Sequence, residues 1–284
     1  MDRISYKPFL SPLKLFFNVE ISEKTPLKVE NTTRLYEIDI LPDETSFWTG
    51  NQRVKIIRRL NSINDLAHNV ADAFMQQVST TLHQITLKLG HNGMPIGIEQ
   101  QNELWLNWLA IRANLADSFT GNWIDFALKE IDQKMLPGAA ITNYIMEDLL
   151  LNEYFRAVYD AVFQQDTFTC KRTVHGLCPF PIKLNEKWLL QTSATGHLIT
   201  FSGECENLMN ITDFNNWLKK TGNQITEINS TGFYHIDHIT GWCNAMESNY
   251  LLKGNNSYEK TLKIMVATNS LFITTIKPLQ TLEE

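Results

Sequence analysis

Six side chains in the C-terminal part of the chain, Cys170, His175, Cys178, His235, His238 and Cys243, are of the types that ligate metals or act as nucleophile and base. All four cysteines and four of the seven histidines lie beyond residue 169, so the reactive groups are concentrated in one half of the sequence. Cys170, His175 and Cys178 are suitable zinc ligands, with His235, His238 or Cys243 as a fourth. Their spacing argues otherwise. Structural zinc sites hold ligand pairs roughly two to four residues apart on a tight turn, whereas seven residues separate Cys170 from Cys178 and the first of them read as a strand. His235 and His238 are an odd number of positions apart, which on a strand sends them to opposite faces. The resulting reading is of reduced cysteines acting as small buried hydrophobes, with no metal and no cofactor.

Thiol catalysis needs a cysteine beside a base that a third polar group orients. Cys243 follows Asp237 and His238 across a turn at Thr240-Gly241, so a hairpin places them near one another. The simpler reading is that the two strands pair with their polar residues in solvent, and no catalytic residue is assigned. A G-x-S-x-G elbow, a P-loop, a G-x-G-x-x-G loop, an H-E-x-x-H helix and an EF-hand loop are all missing from the sequence. The carboxylate pairs Glu37 with Asp39 and Asp43 with Glu44 lie on a strand and its following loop. Such pairs divide into acid and base only when burial separates their pKa values, and these read as solvated surface. Ser202 has no nucleophile context.

Periodicity names the elements that must position these groups. Leu13, Leu15, Phe17, Val19 and Ile21 alternate with Lys14, Phe16, Asn18, Glu20 and Ser22 as one half-buried strand. A second strand is expected over 33–41, ended by Pro42, and a third over 53–59 after Gly50-Asn51. Ile63, Leu66, Val70, Phe74 and Val78 recur at helical spacing behind a Ser62 cap, predicting a helix. Alternation resumes on both sides of Asn92-Gly93, predicting a β-hairpin over 84–99 with a two-residue turn. Further helices carry Leu104, Trp108, Ile111 and Leu115, then Phe126 and Ile131, then Ile141, Ile145, Leu149, Phe155, Val158 and Val162 with a bend near Asn152. Trp105 and Trp108, at helical spacing, read as core.

Beyond residue 167 the pattern is mainly of strands, at 168–174, 187–192, 197–202, 233–238, 242–252, 262–268 and 271–275, with one short helix at 213–220. Short polar connections predict antiparallel neighbours. The fold class expected is therefore α+β: N-terminal strands and a hairpin packed with about four helices, then a mostly antiparallel β half. The boundary falls near residue 166, giving 1–166 and 167–284, and the lack of a Pro- or Gly-rich linker lets the halves pack as one unit.

The chain has 284 residues, 43% of them hydrophobic, and can bury a core without disulfides or metal. Its net charge of −6 argues against nucleic acid, whose phosphates require clustered Lys and Arg. The densest basic run, Arg53, Lys55, Arg58 and Arg59, is interrupted by Val54, Ile56 and Ile57 and reads as a solvated strand face. No apolar stretch of membrane-spanning length occurs. The N-terminus lacks the apolar run of a secretory signal, so the expected location is cytoplasmic. A non-enzymatic binding or scaffold protein with a protein partner or self-association fits this lack of catalytic motifs. The alternatives are a thiol- or metal-dependent enzyme and an acidic inhibitor or immunity-type protein.

Overall fold

Alternation of apolar and polar residues sets up one broad antiparallel sheet whose inward face is covered by helices. The computed structural model describes residues 2–45, 50–65, 70–156, 158–159, 161–205, 216, 224–255 and 257–268. In chain order the elements begin with β1 (Asp2–Arg3), β2 (Leu13–Lys24), β3 (Val29–Thr45), β4 (Gln52–Asp65), α1 (Val70–Ser79), a 3-10 turn (Thr80–Leu82), β5 (Gln84–Leu89) and β6 (Pro95–Ile98). Four helices follow: α2 (Gln101–Ser118), α3 (Asn122–Met135), α4 (Ala139–Met146) and α5 (Leu149–Tyr154). The remainder is strand: β7 (Val162–Phe163), β8 (Thr167–Val174), β9 (Ile182–Thr192), β10 (Gly196–Glu204), β11 (Ile225–Asp237), β12 (Cys243–Gly254) and β13 (Glu259–Ala267). The class is α+β, as the sequence patterns predict.

Eleven strands form one sheet in the order β6-β5-β4-β3-β2-β13-β12-β11-β10-β9-β8. The first long strand and the last described one lie side by side, with Phe17 opposite Val266, Val19 opposite Ile264 and Ile21 opposite Leu262. The two sequence halves thus share a single hydrogen-bonded sheet. Helices α2 to α5 carry the chain from the β6 edge to the β8 edge, across the inward face. Their buried side chains, including Leu104, Trp108, Leu128, Ile141 and Leu151, meet Leu15, Ile38, Ile40, Val54, Ile56, Ile85 and Leu87 in a continuous core. Trp108 is fully buried and its Nε1 donates to Asp132 at 2.8 Å. The N-terminal segment is pinned by Gln52, which is 1% exposed and exchanges hydrogen bonds with the Phe9 backbone at 2.6 and 2.8 Å. Phe9 stacks on Trp242 beside Tyr6 and Tyr159.

Several expectations are corrected. The helix expected behind Ser62 begins only at Val70, because β4 continues to Asp65, with Ser62 opposite Leu35 and Ile63 opposite Arg34. Leu66 lies outside the described residues, and Val70 is exposed while Phe74 and Val78 are buried. Pro42 does not end its strand. It sits opposite Val54, just before an irregularity in the ladder, where a missing N–H is tolerated. The hairpin forms, but through a five-residue loop closed by Gly90 N–H to Met94 O, with positive φ at Gly93 rather than at both turn residues. The last predicted helix is broken in two: Asp148 leaves the helical conformation and caps α5, its Oδ1 accepting from Leu151 N at 3.2 Å. Val162 belongs to β7. Strand β11 begins eight residues earlier than its predicted start at 233. The helix expected over 213–220, apart from Asn216, and the strand over 271–275 lie outside the described residues. In the basic run Arg58 points inward instead of into solvent, and its Nη1 meets Asp148 Oδ2 at 2.6 Å.

Candidate functional site

The six reactive side chains do not converge. Cys170 is on β8, His175 and Cys178 are in the β8–β9 connection, His235 is on β11, His238 follows it, and Cys243 opens β12. Within the β11–β12 hairpin, His235 faces outward with its Nδ1 at 2.6 Å from Asn244 Oδ1. Cys243 faces inward opposite Ile236, with its Sγ directed at Ala245 O. His235 and Cys243 are thus on opposite faces, while His238 lies past the end of β11, so the alternation expected to set it opposite His235 does not govern it. Burial pushes the thiols of Cys178 and Cys243 up to about 12. At Cys170, burial and then the neighbouring Glu186 push the thiol to about 11. None is a ready thiolate at neutral pH. Among the described residues no three His, Cys, Asp or Glu side chains are grouped as a metal requires.

The inward face carries another constellation, built from residue types other than Cys and His. Glu153 lies in the last turn of α5 and Arg156 just beyond it; Arg172 comes from β8, Glu186 from β9, Tyr234 from β11, and Ser248 and Tyr250 from β12. Each strand residue occupies the phase that otherwise holds buried apolar side chains. Glu186, for instance, interrupts the inward series Ile182, Leu184, Trp188 and Leu190. Glu153 and Glu186 are each 1% exposed and Arg156 4%.

Each arginine spans both carboxylates. Arg156 Nη2 donates to Glu153 Oε2 at 2.8 Å and its Nη1 to Glu186 Oε2 at 3.3 Å. Arg172 donates to Glu153 Oε1, to Tyr250 Oη and, at 3.4 Å, to Glu186 Oε1. Ser248 Oγ and Tyr250 Oη each donate to Glu153 at 2.8 Å, and Trp188 Nε1 donates to Glu186 at 3.0 Å. The Arg156 guanidinium lies over the rings of Phe201 and Tyr234, 4.3 and 4.8 Å from their centroids. Gly203 makes room for this packing, since a Cβ there would stand 2.5 Å from Ser230 Oγ and 2.8 Å from Glu186 Cγ.

Burial alone would push the Glu153 carboxyl up. The guanidiniums of Arg172 and Arg156 and the hydrogen bonds from Arg172 and Ser248 outweigh it and hold the group at about 2. A carboxylate so fixed neither takes nor gives a proton near neutral pH. With two charges of each sign, the cluster is balanced, and its evident work is to lock the end of the helical crossover onto β8, β9, β11 and β12.

The outward face has a different character. Register places Thr33, Glu20, Lys263, Asn249, Thr231, Ser202, Lys187 and Thr169 in one row across eight strands. The adjacent row, from Asn31 to Lys171, contains Leu251 as its one apolar side chain. Two depressions, of about 640 and about 670 Å³, lie along this band. The intervening inward residues Ser230, Tyr250 and Leu262 are 0–1% exposed, so the outward side chains and the backbone line the larger part of them.

No protein-family model and no curated protein matches the chain. One solved structure, described as lipid–protein interactions in lipovitellin, is similar over 92% of this chain at 10% identity and a TM-score of 0.49. This chain spans 25% of that structure's chain length.

Proposed function

We propose that the protein is a non-enzymatic binding or scaffold protein, a component of a larger cytoplasmic assembly, held through the outward polar band. The observation that carries this reading is the division of polar groups between the two faces. Charged groups on the inward face are neutralised against one another under α5, whereas the outward band offers hydroxyl, amide, amino and carboxylate groups in register. An interface of this kind gains specificity from hydrogen bonds and charge complementarity rather than from apolar area. The dispersal of Cys170, Cys178, Cys243 and the histidines weighs against a thiol- or metal-dependent enzyme, and nothing specific favours an inhibitor.

The test is cross-linking mass spectrometry of the protein isolated from its source cell, alongside a Thr231→Trp/Asn249→Trp variant whose added bulk lies in solvent. Cross-links from a stable partner that map to the band and disappear in the variant are expected. A lone monomer, or a partner that cross-links elsewhere and tolerates the variant, overturns the reading.

A further inference from the structure

The two edges of the sheet are built differently. Edge strand β6 has four residues, two of them Pro95 and Gly97, and its ladder to β5 has a register shift at Lys88/Leu89. Those are the devices that blunt an edge against pairing. Edge strand β8 has eight residues, no proline and an unbroken register with β9.

The free backbone groups of β8 can be identified. Thr167 exchanges both backbone hydrogen bonds with Gln164, on the side away from β9, while Asp166 O accepts from Leu190 N on β9. In an antiparallel ladder successive residues point their N–H and C=O to opposite sides. The N–H and C=O of Thr169, Lys171 and Thr173 therefore point out of the sheet edge, and among the described residues no backbone bond reaches them. Gln164 blocks the edge at Thr167 and leaves it open from Thr169 onward.

Charge selects what fits there. Lys171, Lys183 and Lys187 are exposed on the outward face of β8 and β9, with Lys183 beside Thr173 and Lys187 beside Thr169. None of the three pairs with a carboxylate among the described residues. The depression of about 670 Å³ is lined by Lys171, Lys187, Thr169, Asn185 and Ser202, with Glu204 as its exposed carboxylate against the three lysines. In a protein of net charge −6 this is a local excess of positive charge at an open edge. A second copy of β8 is a poor occupant: centred on Lys171 it sets two lysines directly opposite, and centred on Cys170 it brings Thr173 against the blocked Thr167.

We propose that the β8 edge binds an extended acidic peptide segment, which adds to the sheet as a further strand. Backbone hydrogen bonds to Thr169, Lys171 and Thr173 hold the segment, and carboxylates at its alternate, outward positions meet Lys171, Lys183 and Lys187. This names a ligand class at one end of the polar band and rests on the binding reading only in treating that face as functional. It is tested with purified protein and a synthetic probe, so failure here leaves the assembly experiment untouched.

The probe is a fluorescein-labelled alternating Glu-Val octapeptide, followed by fluorescence anisotropy at low salt. Saturable binding is expected, weakened roughly tenfold by Lys171→Glu and further by added salt. Thr169→Pro, which removes an edge-facing N–H without altering charge and leaves the β9 ladder intact, should also weaken it. Should that variant misfold, the same peptide N-methylated at alternate amides keeps its charge and loses its edge bonds, and its failure to bind reports the same step. Absence of binding at millimolar peptide overturns the proposal. So does equal binding of the N-methylated peptide, or equal binding of single-stranded DNA or anionic vesicles, because each would show adsorption to charge alone.

Discussion

The inward face of the sheet is two surfaces joined at β2 and β13. Beneath α1 to α4, strands β2 to β6 present chiefly Leu15, Ile38, Ile40, Val54, Ile56, Ile85, Leu87 and Leu89, aliphatic contacts that tolerate small slides, with the Arg58–Asp148 ion pair beside them. Beneath the end of α5, strands β8 to β12 present Arg172, Glu186, Tyr234, Ser248 and Tyr250, each needing a named partner. Aliphatic packing is non-directional and proportional to area, whereas a buried charge without its counter-charge is heavily penalised. The first surface supplies bulk stability. The second fixes where the helical crossover must land before the chain enters β8, with Tyr154 Oη to Cys243 O at 2.9 Å as a further tie.

That contrast is most directly broken at Glu153. Glu153→Ala leaves Arg156 and Arg172 buried with Glu186 as their remaining counter-charge, and should cost about 3–5 kcal/mol in urea unfolding. Ile56→Val on the aliphatic side should cost about 0.5–1.5 kcal/mol. Equal losses would mean that the two surfaces do the same work. Replacing the quartet together (Glu153→Leu, Arg156→Met, Arg172→Met, Glu186→Leu) removes charge and counter-charge at once. Its net cost should fall below about 2 kcal/mol in the same unfolding measurement, although the fold it stabilises should dock α5 less uniquely, seen as poorer NMR dispersion.

Much of the aliphatic surface was legible, because residues 84–89 alternate without interruption, Leu13 to Ile21 do so but for Phe16, and helices such as α2 repeat at helical spacing. The errors occur where long-range pairing overrides local pattern. Residues 60–65 carry no strand alternation of their own and join β4 because β3 continues beside them. Apolar spacing also runs unbroken from Ile145 to Leu149, concealing that Asp148 ends one helix and caps the next. The charged cluster left visible traces, Glu186 in the apolar phase of β9 and Arg172 in that of β8. The partners of Glu186 include Arg156, 30 residues back and just past the end of α5, and Arg172 on β8, a convergence that only the sheet order creates. Cysteine and histidine drew attention by residue type, while the residues that do converge are arginine, glutamate and tyrosine.

Acid should separate the two surfaces next. The Glu153 carboxyl is held at about 2 in the folded protein against an ordinary 4.5. Its folded pKa is depressed, so the stabilisation is fully present above about pH 5 and is lost as pH falls toward 2. The urea midpoint of the wild type should drop across that window, and the drop should be shallower in Glu153→Gln. Ile56→Val should follow the wild-type slope at a constant offset. Parallel slopes in all three proteins would assign the acid sensitivity to carboxylates outside the cluster.

The smallest effect is a local one, read at Cys243. This thiol lies beneath Tyr154, 3% exposed, and burial pushes it up to about 12, so a disulfide reagent at pH 8 should leave it unreacted in the folded protein. Opening of the α5 end uncovers it without global unfolding. Glu153→Gln weakens the charge lock while keeping a side chain of the same shape, and should raise the labelling rate of Cys243 in native buffer. Ile56→Val, equally far from unfolding once urea midpoints are matched, should not. Labelling that rises equally in both variants would show that Cys243 reports global stability, and that the charged cluster holds α5 no more locally than aliphatic packing holds its own half.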